Sequence, residues 1–252
     1  MKQRSPLRLT DNESIKDLYC ILHSAKESLL DCEEMGVFQP VVPKIYNAEK
    51  DPPSPVTDIT DRLEQTKILV SECKRCRLYK SRTKIVFGEG NPSARLMFIG
   101  EGPGKDEDEQ GRPFVGESGK LLTRIIEKGM GLKREDVYIC NIIKCRPPGN
   151  RDPKSEEVEA CLEYLLKQIE LISPEIICVL GAVAGRALLG HDFKITRERG
   201  KWLNFRNIPV IATFHPSYIL RNPEQERQNK AKVWEDIKVI MKYLGIGDIA
   251  HE

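Results

Sequence analysis

Apolar residues along this chain follow two rhythms. Four short, nearly unbroken apolar runs read as strands buried on both faces: Leu96–Gly100, Asp136–Ile143, Glu175–Leu180 and Ile208–Phe214. Between them the apolar positions recur at helical spacing. Helices are predicted from Gly116–Ser118 to about Gly129, over Lys154–Ile172, over Ala182–Leu189 and over Glu224–Leu244, with another at Asp58–Val70. Pro153, Ser155 and the acids after them mark the start of the Lys154 helix. Arg197–Trp202 and Phe205 suggest a hairpin turning at Gly200. Strands alternating with helices imply an α/β fold, a parallel sheet covered on both faces.

Upstream the pattern changes. Ile15, Leu18, Ile21, Leu22 and Leu29 give helical spacing over Ile15–Cys32, behind an Asp11/Asn12 cap. Gln39 to Pro55 is polar and carries Pro40, Pro43, Pro52, Pro53 and Pro55, the composition of a linker. Residues 1–57 therefore read as an N-terminal extension, helix plus Pro-rich linker, and residues 58–252 as the folded domain.

Charge narrows the partners. Forty basic residues against thirty-eight acidic give a net charge of +2, so any nucleic-acid contact must come from a local patch. No apolar run approaches the ~18 residues of a membrane span. The N-terminus lacks the apolar core of a secretory signal, so a cytoplasmic, intracellular location is expected. In that compartment the eight cysteines serve better as metal ligands or buried thiols than as disulfides.

Chemistry is expected beyond the carboxyl ends of the strands. The first strand stops at Gly100, and a Gly/Pro-rich loop follows: Glu101-Gly-Pro-Gly104, then Lys105 to Glu109, then Gly111-Arg-Pro-Phe-Val-Gly116. Glycines there let a ligand approach the backbone N–H groups. A polar Asn141 inside the second apolar strand must find partners or read a ligand. The fourth strand runs into Phe214-His215-Pro-Ser-Tyr-Ile-Leu-Arg221, which puts His215 on the same rim as Glu101. An exposed Phe114 is expected to join them. Taken alone, His215 reads first as a histidine capping or packing against the last helix.

Four cysteines stand apart from the rest. Cys73-x-x-Cys76 lies among basic residues, Cys145 follows the second strand, and Cys161 lies in the next helix, fifteen residues further on. Four thiolates from three segments suit an iron–sulfur cluster or a zinc ion, and the spacing does not separate the two. Cys140 and Cys178 sit inside apolar strands and read as core. Cys20 and Cys32 have no recognisable ligand spacing.

These motifs, in this order, resemble the family 4, iron–sulfur uracil-DNA glycosylases. The matching residues are Gly100-Glu-Gly-Pro-Gly104, Gly111-Arg-Pro-Phe-Val-Gly116, Asn141-Ile-Ile-Lys-Cys-Arg-Pro-Pro148 with Asn150-Arg151, and His215-Pro-Ser-Tyr-Ile-Leu-Arg221. The resemblance covers about Leu63 to Leu244. It implies a three-layer α/β/α sandwich around a four-stranded parallel sheet. It also implies a 4Fe–4S cluster on Cys73, Cys76, Cys145 and Cys161, structural in role. An acid at Glu101 departs from the family 5 pattern, and no basic insertion follows the first motif.

The resemblance implies a DNA repair enzyme that flips uracil out of DNA and hydrolyses its glycosidic bond. Phe114 would stack on the flipped base, and Asn141 would bond its pairing edge. Glu107 would exclude the thymine methyl. His215 would stabilise the departing uracil anion, helped by backbone near Gly102, while Glu101 would serve the sugar cation and its water. Ser217, Tyr218 and Ile219 would press into the groove. Arg146, Arg151 and Arg221, with Lys144, Arg199 and Lys201, are candidate phosphate contacts. The expected partner is uracil-containing DNA, with no membrane and a monomeric chain; no protein partner is readable. The competing reading, a non-enzymatic iron–sulfur or zinc protein that binds DNA or carries electrons, explains the cysteines but not Glu101, Asn141 and His215 together.

Overall fold

A computed structural model describes residues 59–247. They lie within the second of the two units into which the chain divides, Val56–Glu252. The helix expected over Ile15–Cys32, the linker over Gln39–Pro55, and Cys20 and Cys32 fall outside the described residues.

In chain order the main elements are α1 (Ile59–Ser71), β1 (Glu89–Gly90), β2 (Leu96–Gly100), α2 (Lys105–Gln110) and α3 (Glu117–Arg124). Then come β3 (Tyr138–Asn141), α4 (Ser155–Ile172), β4 (Ile176–Leu180), α5 (Ala182–Leu189) and α6 (Ile195–Glu198). β5 (Trp202–Phe205), β6 (Ile208–Thr213), α7 (Pro216–Leu220) and α8 (Glu226–Leu244) complete the fold. The sheet has the order β1-β3-β2-β4-β6-β5. Its four central strands are parallel, with Phe98 level with Ile139 on one side and Cys178 on the other, and Cys178 level with Ile211. These are the four strands the apolar runs predict. Two short antiparallel strands, β1 and β5, extend the sheet at its edges.

Alternation along each central strand builds two cores. Met97, Ile99, Ile177, Val179 and Val210 face one way and pack with Val70 of α1, Leu165 and Ile169 of α4 and Leu188 of α5. Leu96, Phe98, Ile139, Cys178 and Ile211 face the other way, against Leu121 and Leu122 of α3, Ile219 of α7 and Ile237 and Ile240 of α8. Because both faces are covered, the strand sequences are apolar throughout, and β2 and β4 are buried at every position. Each large side chain removed from water contributes about 1.5–3 kcal/mol.

Two local expectations change. The hairpin does not turn at Gly200. It turns at Arg206–Asn207, where both residues take positive φ (50° and 69°), the two-residue turn that suits the strand twist. Gly200 instead lies against Asp236, whose Oδ1 would be 2.4 Å from an added Cβ. The acidic stretch after β2, read as a loop, contains α2. It begins at Gly104 and ends at a left-handed Gly111.

Candidate active site

The carboxyl ends of β2 and β3 and the loop after β6 open into one cleft of about 470 Å³. Glu101, Gly102, Glu107, Phe114, Asn141 and His215 all line it. Gly100 makes the meeting possible: an added Cβ would lie 2.5 Å from both Asn141 Oδ1 and Phe114 Cζ. Gly102 is similarly tight, with an added Cβ 2.7 Å from Ile143 Cγ1.

Phe114 is not the exposed ring expected from the loop sequence. It is 6 % exposed, with a left-handed backbone (φ 51°). Two neighbours hold that conformation. Gly119 of α3 packs so closely that a Cβ there would be 2.0 Å from the Phe114 carbonyl. Glu107 braces the loop: Oε1 accepts from the N–H groups of Val115 and Gly116, each at 2.9 Å, and Oε2 accepts from Gly104 N–H at 3.1 Å. Glu107 thus lines the cleft with both oxygens committed to backbone.

Asn141 is 1 % exposed, and its Oδ1 finds no hydrogen-bond donor among the described residues. A buried acceptor without a donor costs about 1–3 kcal/mol, so one lining a cleft is an acceptor left for a ligand.

His215 is the N-cap of α7, and its Nδ1 accepts from Ser217 N–H at 3.1 Å. That bond leaves the proton of the neutral ring on Nε2. Burial, reinforced by Arg221, lowers its pKa to about 4, so the ring is neutral at physiological pH. The ring centroid stands 5.6 Å from that of Phe114. Capping and facing the cleft are therefore compatible roles for one side chain. Glu101 moves the other way. Burial first, then the Asp152 carboxylate, raises its pKa to about 7, against the pull of Arg221 and Arg186. Opposite shifts in one cleft are the pattern of a reactive site. Asp152 and Arg186 were not singled out from sequence, since nothing in their local pattern marks them.

The candidate DNA contacts divide. Arg221 and Arg151 line the cleft, but Arg151 is tied to the buried Glu157 by two bonds of 2.7 and 2.8 Å. Arg146 is held by Asn150 Oδ1 at 2.7 Å. Lys144 is no phosphate contact: it is 1 % exposed, with Nζ donating to the Asn141 carbonyl and to Gln168 Oε1. Arg199 is committed to Asp236, whereas Lys201 is exposed. On α7, Ser217 lines the cleft and Tyr218 is exposed, but Ile219 is 1 % exposed and belongs to the core. Ile219 cannot press into a groove as expected; Leu220 is the other exposed apolar residue of that helix.

Cys73, Cys76, Cys145 and Cys161 line one small cleft, each thiol free. Lys144 N–H donates to Cys161 Sγ at 3.3 Å, and Arg82 donates to Cys145 Sγ at 3.3 Å. Burial raises the thiols of Cys76 and Cys161 and takes Cys145 to about 11. Donors turned toward sulfurs fit a thiolate-bound group, which would supply the missing positive charge. No three His, Cys, Asp or Glu among the described residues are placed to hold a single metal ion.

A sequence model of the uracil DNA glycosylase superfamily matches residues 87–238. The chain belongs to the uracil DNA glycosylase superfamily. Within the superfamily it is 48 % identical over 179 residues to the type-4 uracil-DNA glycosylase of Thermotoga maritima, covering 69 % of this chain and 91 % of that protein. The type-4 enzyme of Sulfurisphaera tokodaii is 47 % identical over 171 residues, 65 % of this chain and 78 % of its own. That of Archaeoglobus fulgidus is 45 % identical over 184 residues, 70 % and 90 %. The superfamily match spans all the cleft residues named above and Cys145 and Cys161, and begins after Cys73 and Cys76.

Proposed function

We infer that this chain is a uracil-DNA glycosylase of DNA base-excision repair, releasing free uracil and leaving an abasic site. The observation that carries the reading is the partnerless Asn141 Oδ1, buried beside Phe114 and His215 in a cleft that accepts one flipped nucleotide. Uracil offers an N3–H donor to that oxygen and an O4 acceptor to the amide nitrogen. Cytosine reverses both and is excluded. Phe114 stacks on the ring from a conformation fixed before the base arrives. Glu107 acts through the loop it braces, setting the wall that bounds the uracil C5 edge.

In the reaction the N1–C1′ bond breaks and its electron pair leaves with uracil. Water adds to C1′, and its proton passes by way of the Glu101 carboxylate to the released uracil anion. His215, neutral with its hydrogen on Nε2, donates to O2 of the departing anion, where charge develops. Glu101, once ionised, stabilises the cationic sugar and orients the water. Cys73, Cys76, Cys145 and Cys161, which line one small cleft, would hold a 4Fe–4S cluster. Its role would be structural: held by all four thiolates, it would tie the segment after α1 to the loop after β3 and to α4. Arg146, Arg221, Lys201, Ser217 and Tyr218 are the side chains available to the DNA strand.

The test is release of free uracil from a uracil-containing oligonucleotide, run beside thymine and mismatch controls. Asn141→Asp should lose discrimination against cytosine, because it replaces the amide donor with an acceptor. Parent-rate uracil excision by both Asn141→Asp and Asn141→Ala would show that the amide does not read the base.

A further inference from the structure

The end of β3, which carries Asn141, is held by a residue that the reaction does not use. Lys144 and Gln168 are 1 % and 0 % exposed, and they meet beside Asn141. Lys144 Nζ donates to the Asn141 carbonyl at 2.7 Å and to Gln168 Oε1 at 2.6 Å. Gln168 Nε2 donates to the Phe87 carbonyl at 2.9 Å and to the Tyr138 hydroxyl at 3.1 Å. A lysine taken out of water and received only by neutral oxygens is costly to bury, so its bonds call for a reason.

The sheet register supplies one. β1 pairs with β3 at Glu89–Ile139 and Gly90–Tyr138, and the same register carried two residues on would set Phe87 opposite Asn141. The ladder stops before that pair. Ile142 N–H donates to the Gly100 carbonyl on the β2 side, so the Asn141 carbonyl points to the β1 side, past the end of the ladder. Buried backbone oxygens left there need donors. Lys144 Nζ takes the Asn141 carbonyl and Gln168 Nε2 takes that of Phe87.

Asn141 Oδ1 has no donor among the described residues, so the amide takes its aim from its own backbone. We propose that Lys144 is a positioning residue for base recognition. It fixes the Asn141 peptide where the ladder opens, and with it the direction in which the amide meets the base. Its footing is α4. Cys161 and Gln168 lie seven residues apart on one face of that helix. Cys161 Sγ accepts from Lys144 N–H at 3.3 Å, and Gln168 Oε1 accepts from Lys144 Nζ. One residue therefore joins the cysteine site to the base reader. The inference rests on the reading of Asn141 as the group that recognises uracil.

The test is single-turnover excision from uracil-containing DNA by the parent, Lys144→Met, Asn141→Ala and the double variant. Met keeps the length of the side chain and removes its donors. Lys144→Met should cleave ~10–10²-fold more slowly, the effect of a small displacement near the reacting atoms. Its affinity for abasic-site DNA, which offers no base to read, should be kept. In the Asn141→Ala background the same substitution should add no further loss. Equal slowing in both backgrounds, or parent-rate cleavage by Lys144→Met, overturns the proposal. A second readout needs no activity. The Asn141 side-chain amide resonances, identified by their loss in Asn141→Ala, should shift and broaden in Lys144→Met; unchanged resonances also overturn the proposal. A parent that releases no uracil refutes the glycosylase reading, and the resonances then decide the positioning alone. Gln168→Leu, about two turns along α4 from Cys161, repeats both measurements should Lys144→Met melt early or lose iron.

Discussion

Replacing Glu101 by Gln separates the chemistry of the cleft from its stability. In the folded protein, burial and the Asp152 carboxylate raise the Glu101 pKa from 4.5 to about 7. The folded state therefore holds this proton more tightly than the unfolded state between those values. The contribution of Glu101 to stability is complete below pH 4.5 and lost as pH rises through about 7. At about 1.4 kcal/mol per pH unit the gap sets a ceiling of ~3 kcal/mol. Glu101 is only partly buried, and solvent screening reduces that to ~1–2 kcal/mol. Gln keeps the shape without the charge. At about pH 8.5 the variant should be the more stable protein by that amount, roughly 3–6 °C in melting temperature, and should match the parent near pH 4.5. Its single-turnover excision should nevertheless fall by roughly 10²-fold. Scanning calorimetry at the two pH values, beside single-turnover cleavage, reads both quantities. A variant that melts below the parent at both pH values would make Glu101 a structural brace. One that cleaves at the parent rate would remove its charge from the mechanism.

Excision by the parent should rise with pH through about 7 as Glu101 ionises, while His215, with a pKa near 4, stays neutral. Asp152→Asn should move the rise to lower pH, and a profile flat between pH 5 and 9 would refute the assignment, since ~98 % of the titration lies inside that window. His215→Ala should slow single-turnover cleavage ~10²–10³-fold with DNA affinity kept, the cost of one preorganised donor. Lost affinity with normal turnover of bound DNA would leave only the cap. Anaerobically purified protein should carry about four irons per chain. Cys145→Ala should reduce both iron and folded yield, whereas Cys178→Ala, in the middle of β4, should leave iron unchanged; a colourless parent with one zinc would overturn the cluster.

The central sheet was legible because its strands are buried on both faces, and an apolar run such as Leu96–Gly100 states that directly. What the sequence hid depended on tertiary contacts or on very short elements. β1 is two residues long, too short for any pattern. The hairpin turns on Arg206 and Asn207, so no glycine announces it, while the glycine that suggested a turn serves Asp236 instead. In α7, five residues set the phase, and only packing decides that Ile219 points into the core while Tyr218 and Leu220 face out. Phe114 reads as a loop residue, and its burial follows from Gly100 and Gly119, far from it in pattern but adjacent in space. The functional residues themselves were legible as types on strand ends; their protonation was not, because burial and neighbours such as Asp152 set it.

The acidic stretch after β2 appears badly placed in a protein that receives DNA, with Asp106, Glu107, Asp108 and Glu109 in succession at the rim. The hydrogen bonds resolve this. Asp108 is 2 % exposed and accepts from Thr83 N–H at 2.9 Å, fixing α2 to the segment after Arg82. Glu107 takes three backbone N–H groups, and Glu109 lies 3.8 Å from Lys105. Charges accepting backbone donors lose much of their outward field, and they gain the ~1.5–3 kcal/mol typical of charged hydrogen bonds. Glu107 is therefore an internal fastener of the loop that carries Phe114, and Asp108 of α2. Glu107 meets one mechanical requirement: a ring must be held in a left-handed backbone conformation while the wall in front of it stays open to a base. An apolar loop would have to bury itself to become rigid and would fill the cleft. A carboxylate loop becomes rigid through backbone N–H groups and leaves the cleft empty.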